Sequence, residues 1–300
     1  MKKILPLATS PITTFPPYAT TLSILFNHED AYDWIYSQYI QIYVIDKPGR
    51  DLTDENPFAG CFFSDFDTRR LAWVNADDTF HRGDMSPYLY MFDTPYEYIA
   101  PYDTFVSYIK HNIDLSMYVY GLANVGKIAA YKRGGDANHQ VLIFGYDDSV
   151  EEFYFADFLK DGRYMQSKCK FAEVEAAYRS IVDLPYAPWF KSMTAIKYKD
   201  GTSYNFDYQY VKDSVKDYLY PDSDRVIRFN EYIKSSFTIG ACKRWNVKVY
   251  AGTDVYQYLS EFIDAELRLG RSHIDRRLYH DSPDYTAIKL PTCGEQLRTA

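Results

Sequence analysis

The stretch His139-Gln-Val-Leu-Ile-Phe-Gly-Tyr-Asp-Asp-Ser-Val-Glu-Glu-Phe-Tyr-Phe-Ala-Asp-Phe158 decides the fold class. Two runs rich in β-branched and aromatic residues flank the turn Asp147-Asp-Ser-Val-Glu151, which is the pattern of an antiparallel hairpin. In such a hairpin the start of the first strand lies beside the end of the second. His139 and Asp157 are therefore expected to be neighbours across the pair, although 18 residues separate them. A carboxylate bonded to one imidazole nitrogen fixes the tautomer and leaves the other nitrogen to take a proton, so the two suit a base and its orienter. The bland reading is a strand-edge histidine beside an ordinary strand-end aspartate.

Working outward, short aromatic and β-branched runs at Met117–Leu122, Tyr164–Phe171 and Ser192–Lys199 predict further strands of one antiparallel meander, in sequential order. Helices are predicted at Tyr102–His111 and about Phe171–Ile181. Upstream, Ala31, Ile35, Tyr39 and Ile42 recur at helical spacing, which predicts a buried helix from His28 to about Tyr43. Asn27 is then its N-cap, with Glu29 and Asp30 in its first turn. Residues 47–83 lack a sustained period and read as loop with short strands. Past Tyr204 the pattern turns helical, at Tyr208–Tyr218 and Thr253–Arg271. The expected organisation is an α+β domain over residues 1–203 with a helical C-terminal extension, 204–300, packed on it.

Composition narrows the function classes. The chain of 300 residues has 33 basic and 41 acidic residues without a Lys/Arg stripe, so the phosphate-tracking surface of a nucleic-acid binder is not expected. No stretch of about 20 apolar residues spans a membrane. Pro6 interrupts the short apolar run after two lysines, leaving no signal-peptide core, and the protein is expected to be cytoplasmic with reduced thiols. Cys61, Cys169, Cys242 and Cys293 show neither CxxC nor zinc spacing, so no metal is expected. The 31 Tyr and 19 Phe suit core edges, or an aromatic cleft for an acyl or phenolic ligand.

With an early segment running into a buried helix, then His139, Gly145-Tyr146-Asp147 and Ala156-Asp157-Phe158, the chain resembles the papain-like cysteine peptidases of the bacterial double-glycine leader-peptidase type over about residues 18–200. It is similar, more closely, to the butirosin-type acyltransferase relatives of thiotemplated antibiotic pathways, including the amide-forming enzyme of closthioamide assembly. That resemblance implies a papain-like fold and an acyltransferase. An acyl group would pass from a carrier-protein thioester to a Cys at the start of the central helix, and then to an amine. His139 would be the base and Asp157 its orienter. The substrate would ride on a phosphopantetheine carrier, and no cofactor would be needed. The partners would be an acyl or peptidyl carrier protein and a small amine.

In this sequence the nucleophile seat implied by the family falls on Asn27, and its oxyanion Gln on Thr21, with Ser23 nearby. An amide nitrogen is no nucleophile, so no acyl-enzyme is expected. Three readings stay open: Asn27 is an inactivating replacement of the thiol, or a plain cap on a relative that only binds a carrier domain or peptide product, or the helix begins elsewhere. A peptidase needs the same thiol and differs in substrate. None of the four cysteines stands in the helix-start setting that activates a thiol.

Overall fold

The computed structural model describes residues 1–38 apart from 12, 14 and 15; 42–45; 61–64; 86–220 apart from 101–103, 133, 160–161, 182–190 and 207; and 249–260 apart from 252, 258 and 259. The chain divides into two compact units. The first takes in Met1–Ala31 and the described residues from 86 to Ser203, and the second Tyr32–Gln38, 42–45, 61–64 and the described residues from Tyr204 on.

The first unit is α+β, built on an antiparallel sheet. Strands β4 (Leu89–Pro95), β5 (Tyr118–Asn124), β6 (Asn138–Asp147), β7 (Glu152–Phe158), β8 (Tyr164–Lys170) and β9 (Ser192–Tyr198) lie in the order β4-β9-β5-β6-β7-β8, and β1 (Lys2–Ile4) pairs with β6. The hairpin of β6 and β7 forms as its alternation predicts, with Leu142 opposite Ala156 and Asp147 opposite Glu152. The sequential order holds only from β5 to β8. β9 crosses back to insert between β4 and β5, pairing Tyr118 with Ile196 and Phe92 with Ala195. β9 holds Met193, Ala195 and Ile196 buried, as a central strand does.

Gly145 serves β1. A Cβ there would sit 2.9 Å from both Ile4 Cα and Lys3 O, so only glycine lets β1 approach β6 at this point. Tyr146 next to it is buried and donates to Asp114 Oδ1 at 2.7 Å, and Asp147 accepts from Ser149 Oγ at 2.6 Å. The Gly-Tyr-Asp run is thus used structurally.

The helix expected over His28–Tyr43 is not formed as one piece. Residues Glu29–Ala31 make a 3-10 turn, α2 covers Tyr32–Gln38, and β2 (Ile42–Ile45) pairs with β3 (Cys61–Ser64) and with β10 (Val249–Ala251) in the second unit. The two units divide at 203/204 on the C-terminal side, while α2, β2 and β3 group with the described residues from Tyr204 on, β2 through its ladder with β10. The buried helix comes earlier, as α1 (Pro16–Leu25), with Ala19, Leu22, Ser23, Ile24 and Leu25 fully buried and Thr20 and Thr21 nearly so. Buried at every position from Ala19 to Leu25, it shows no apolar stripe for a periodicity reading to find. Its proline at the first helical position suits a helix start.

The short α3 (Tyr96–Ile99) and α4 (Phe105–Asp114) follow β4, and α5 (Phe171–Arg179) follows β8. Thr104 caps α4, accepting from Ser107 N at 3.0 Å. Tyr96, Phe105 and Tyr178 cluster with ring centroids 5.4–5.6 Å apart and anchor these helices on the sheet. In the second unit α6 (Tyr208–Leu219) forms where the period predicts it, and most of the expected helix Thr253–Arg271 lies outside the described residues.

Candidate functional site

His139 lies one residue into β6 and Asp157 one residue before the end of β7. One step past the Leu142–Ala156 pair, Asp157 falls level with Val141, so His139 is its diagonal neighbour on the same face of the sheet. The side chains meet: His139 Nδ1 is 2.7 Å from Asp157 Oδ2. Asp157 is 1% exposed and His139 31%, so the carboxylate is out of water while the ring is part-exposed.

The buried carboxylate is fully engaged. Its Oδ1 accepts the backbone N–H of Phe158 at 2.7 Å, and its Oδ2 takes both His139 and the hydroxyl of Tyr131. Burial, and next the charge of Asp157, hold the Tyr131 phenol protonated well above the ordinary tyrosine range, so it is a permanent donor. The ring of Phe158 meets His139 edge-on at 6.4 Å and Tyr164 at 5.4 Å. Tyr131 was not singled out in the sequence. It sits between β5 and β6 in a segment with Gly, Lys and Arg and no period, and only the closure of that segment brings it to the hairpin.

Asn27 is placed elsewhere. It follows the last turn of α1, and its side-chain amide donates to Ser23 O at 2.7 Å and Ile24 O at 2.9 Å. That corrects the N-cap assignment: an N-cap accepts from backbone N–H groups, whereas Asn27 satisfies the free carbonyls of a helix C-terminus. The neighbouring His28 ring lies flat on Tyr198, centroids 3.4 Å apart and planes 3° from parallel. Ala123 faces His139, and on the Gly121–Met193 register it is level with position 191. Tyr198 is seven residues further along β9, about 23 Å at the usual strand rise. The Asn27–His28 corner thus packs at the Tyr198 end of β9, and the Asn27 amide is tied to the carbonyls of α1.

Thr21 and Ser23 are inside α1, buried. Their hydroxyls and those of Tyr164 and Tyr178 lack protein hydrogen-bond partners. Cys169, on β8, is buried, and burial raises its thiol far above the usual range, with Glu173 adding to the effect. It is inert as a nucleophile. Cys61 opens β3 in the second unit, and Cys242 and Cys293 lie outside the described residues.

Among the described residues no group of three His, Cys, Asp or Glu side chains could hold a metal ion, and no helix is long and apolar enough to cross a membrane. Chemically, the arrangement holds one imidazole by its Nδ1 against a buried carboxylate. Comparison with family models, curated proteins and solved structures gives no match for this chain.

Proposed function

We propose that the first unit is a papain-like acyl-transfer scaffold in which His139 is the general base and Asp157 its orienter, acting on a thioester carried by an acyl or peptidyl carrier protein. The observation that carries the reading is the Nδ1 to Oδ2 bond of 2.7 Å between a part-exposed imidazole and a buried carboxylate. A buried carboxylate that accepts Nδ1–H keeps the ring in the tautomer whose Nε2 is basic, and it stabilises the imidazolium once formed. The order of parts also supports it: a buried helix, then a His-led strand, then an Asp-ended strand.

The corrected position of Asn27 changes the expected route. Without a nucleophile at position 27, the amine attacks the thioester carbonyl directly. His139 Nε2 takes the amine proton, the tetrahedral intermediate expels the pantetheine thiolate, and that sulfur recovers the proton from His139. The C–N bond forms, the C–S bond breaks, and no oxidant, metal or nucleotide is consumed.

A second reading, a carrier- or product-binding protein without catalysis, is favoured by Asn27 itself, whose amide is tied to helix carbonyls and offers no nucleophile. One experiment separates the two. The protein is incubated with an acylated carrier protein and a panel of amines, with amide and free carrier thiol read by mass spectrometry. Acyl transfer gives amide in proportion to released thiol, and His139→Ala removes both. Carrier retention with equal background amide in wild type and His139→Ala assigns the chain to binding.

A further inference from the structure

Between β5 and β6 the chain leaves the sheet at Asn124 and returns at Asn138. The fully buried Asn124 closes this excursion at its base, its Oδ1 accepting from Gly126 N at 3.2 Å and Ala137 N at 3.1 Å. Its Nδ2 donates to Asp136 Oδ1 and to Ser180 O, both at 2.9 Å, and Val125 N donates to Ala137 O at 2.7 Å. A Cβ on Gly126 would fall 1.9 Å from Gly135 O, so the two sides of the excursion are in direct contact. At its far turn Ala129 N donates to Glu173 Oε1 on α5 at 3.0 Å, and Lys132 takes a left-handed conformation, φ 50°. The residue held between these fixed points is Tyr131. Its ring stacks on Phe155 at 5.8 Å and its hydroxyl reaches Asp157 Oδ2.

We propose that Tyr131 is a positioning residue of the His139–Asp157 pair, a clamped phenol that shares the carboxylate oxygen used by His139 and thereby sets how strongly that histidine holds a proton. The proposal deepens the acyl-transfer reading but does not depend on a substrate. A donor on Oδ2 draws negative charge away from the His139 bond, so it weakens the pull of Asp157 on the imidazolium and keeps the base from being over-protonated. It also fixes the carboxylate plane, and with it the ring.

The other groups facing this cluster are Tyr164 and Cys169 on β8 and Tyr178 on α5, all neutral near pH 7 because burial raises them. Among the described residues, the charges of the surrounding segments are Lys132, the Lys127–Asp136 pair at 2.9 Å, Arg163, Lys168 and Lys170 by β8, and Glu173, Glu175 and Arg179 on α5. None of these lies on the Oδ2 atom that Tyr131 and His139 share.

The test is an NMR titration of the His139 ring nitrogens in the wild type, Tyr131→Phe, Asp157→Asn and the double variant. Tyr131→Phe keeps the stack on Phe155 and deletes only the donor. Its His139 pKa is expected to rise by about one pH unit, a tenfold change in proton affinity. In the Asp157→Asn background the same substitution is expected to leave His139 unmoved, because the coupling runs through the carboxylate. Site-specific 3-fluorotyrosine at position 131, a stronger donor of nearly the same shape, gives the opposite sign and covers the case in which Tyr131→Phe fails to fold. An unchanged His139 pKa in Tyr131→Phe, or an equal shift with and without the Asp157 carboxylate, overturns the proposal. Since the readout needs no substrate, its failure is distinct from a failure to find acyl transfer.

Discussion

Two histidines of the first unit stand near an aspartate and a tyrosine, toward opposite ends of one sheet, and the same residue types do different things. At one end His139 meets Asp157 edge-on, ring nitrogen to carboxylate at 2.7 Å, with Tyr131 on the same oxygen. At the other, His28 lies face-on against Tyr198, and it is the tyrosine hydroxyl that takes Asp30 Oδ1, at 2.6 Å. There the histidine contributes ring area, while the Asp30 carbonyl receives Tyr88 at 2.6 Å and completes a packing corner. The difference teaches that a dyad is made by orientation and burial. Asp157 is out of water and aimed at a nitrogen; Asp30 is exposed and aimed at a phenol.

The largest expected effect comes from exchanging the two acids for amides. Under the acyl-transfer reading, Asp157→Asn should lower the rate of amide formation by about 10⁴-fold, because the wrong tautomer of His139 is then favoured. Asp30→Asn should leave the rate within about twofold, since that carboxylate touches no imidazole nitrogen. Steady-state assays with one carrier substrate decide it, and an equal loss in both variants would erase the contrast.

Stability should separate the two ends next. Asp157→Ala strands the Phe158 N–H, the Tyr131 hydroxyl and His139 Nδ1 in a buried site, at a cost of about 3 kcal/mol. Asp30→Ala removes one acceptor at a part-buried corner and should cost about 1 kcal/mol. Urea unfolding curves with unchanged slopes would measure both.

Asn27→Cys sharpens the comparison from the other side. A thiol at a helix C-terminus faces the negative end of the dipole, which disfavours its thiolate. Such a thiol should react with iodoacetamide near pH 7 no faster than an unperturbed cysteine. Selective labelling of position 27, by peptide mapping, would return it to the His139 site.

The smallest effect is a pH slope. Burial lowers the His28 pKa below its ordinary 6.5, outweighing Asp30 and Asp200, so the folded state binds its proton less readily than the unfolded chain. Its contribution to stability is therefore complete above pH 6.5 and is lost as pH falls through the lower folded value. His28→Phe keeps a ring on Tyr198 and removes the titration. Its urea midpoint should fall less between pH 7.5 and 5.5 than that of the wild type, and parallel profiles would show that His28 is not linked to folding.

Legibility in the sequence followed the length scale of the forces. The β6–β7 hairpin, its turn and the pairing of His139 with Asp157 were readable because alternation and a short turn act within about 20 residues. α4, α5 and α6 were found near their true limits, since each carries an amphipathic stripe. The helix thought to start at Asn27 was misplaced because α1, buried from Ala19 to Leu25, has no stripe, while residues 31–42 mimic one across a 3-10 turn, a short helix and a strand.

By itself, then, the sequence determined an α+β chain with an antiparallel hairpin that joins a histidine to an aspartate, because backbone pairing and side-chain alternation are local. Tertiary structure alone decided that β9 inserts between β4 and β5, that Asn27 ends a helix instead of starting one, and that Tyr131 arrives at Asp157 from a clamped excursion. Those outcomes depend on which distant surfaces bury one another, and no pattern of neighbouring residues records that choice.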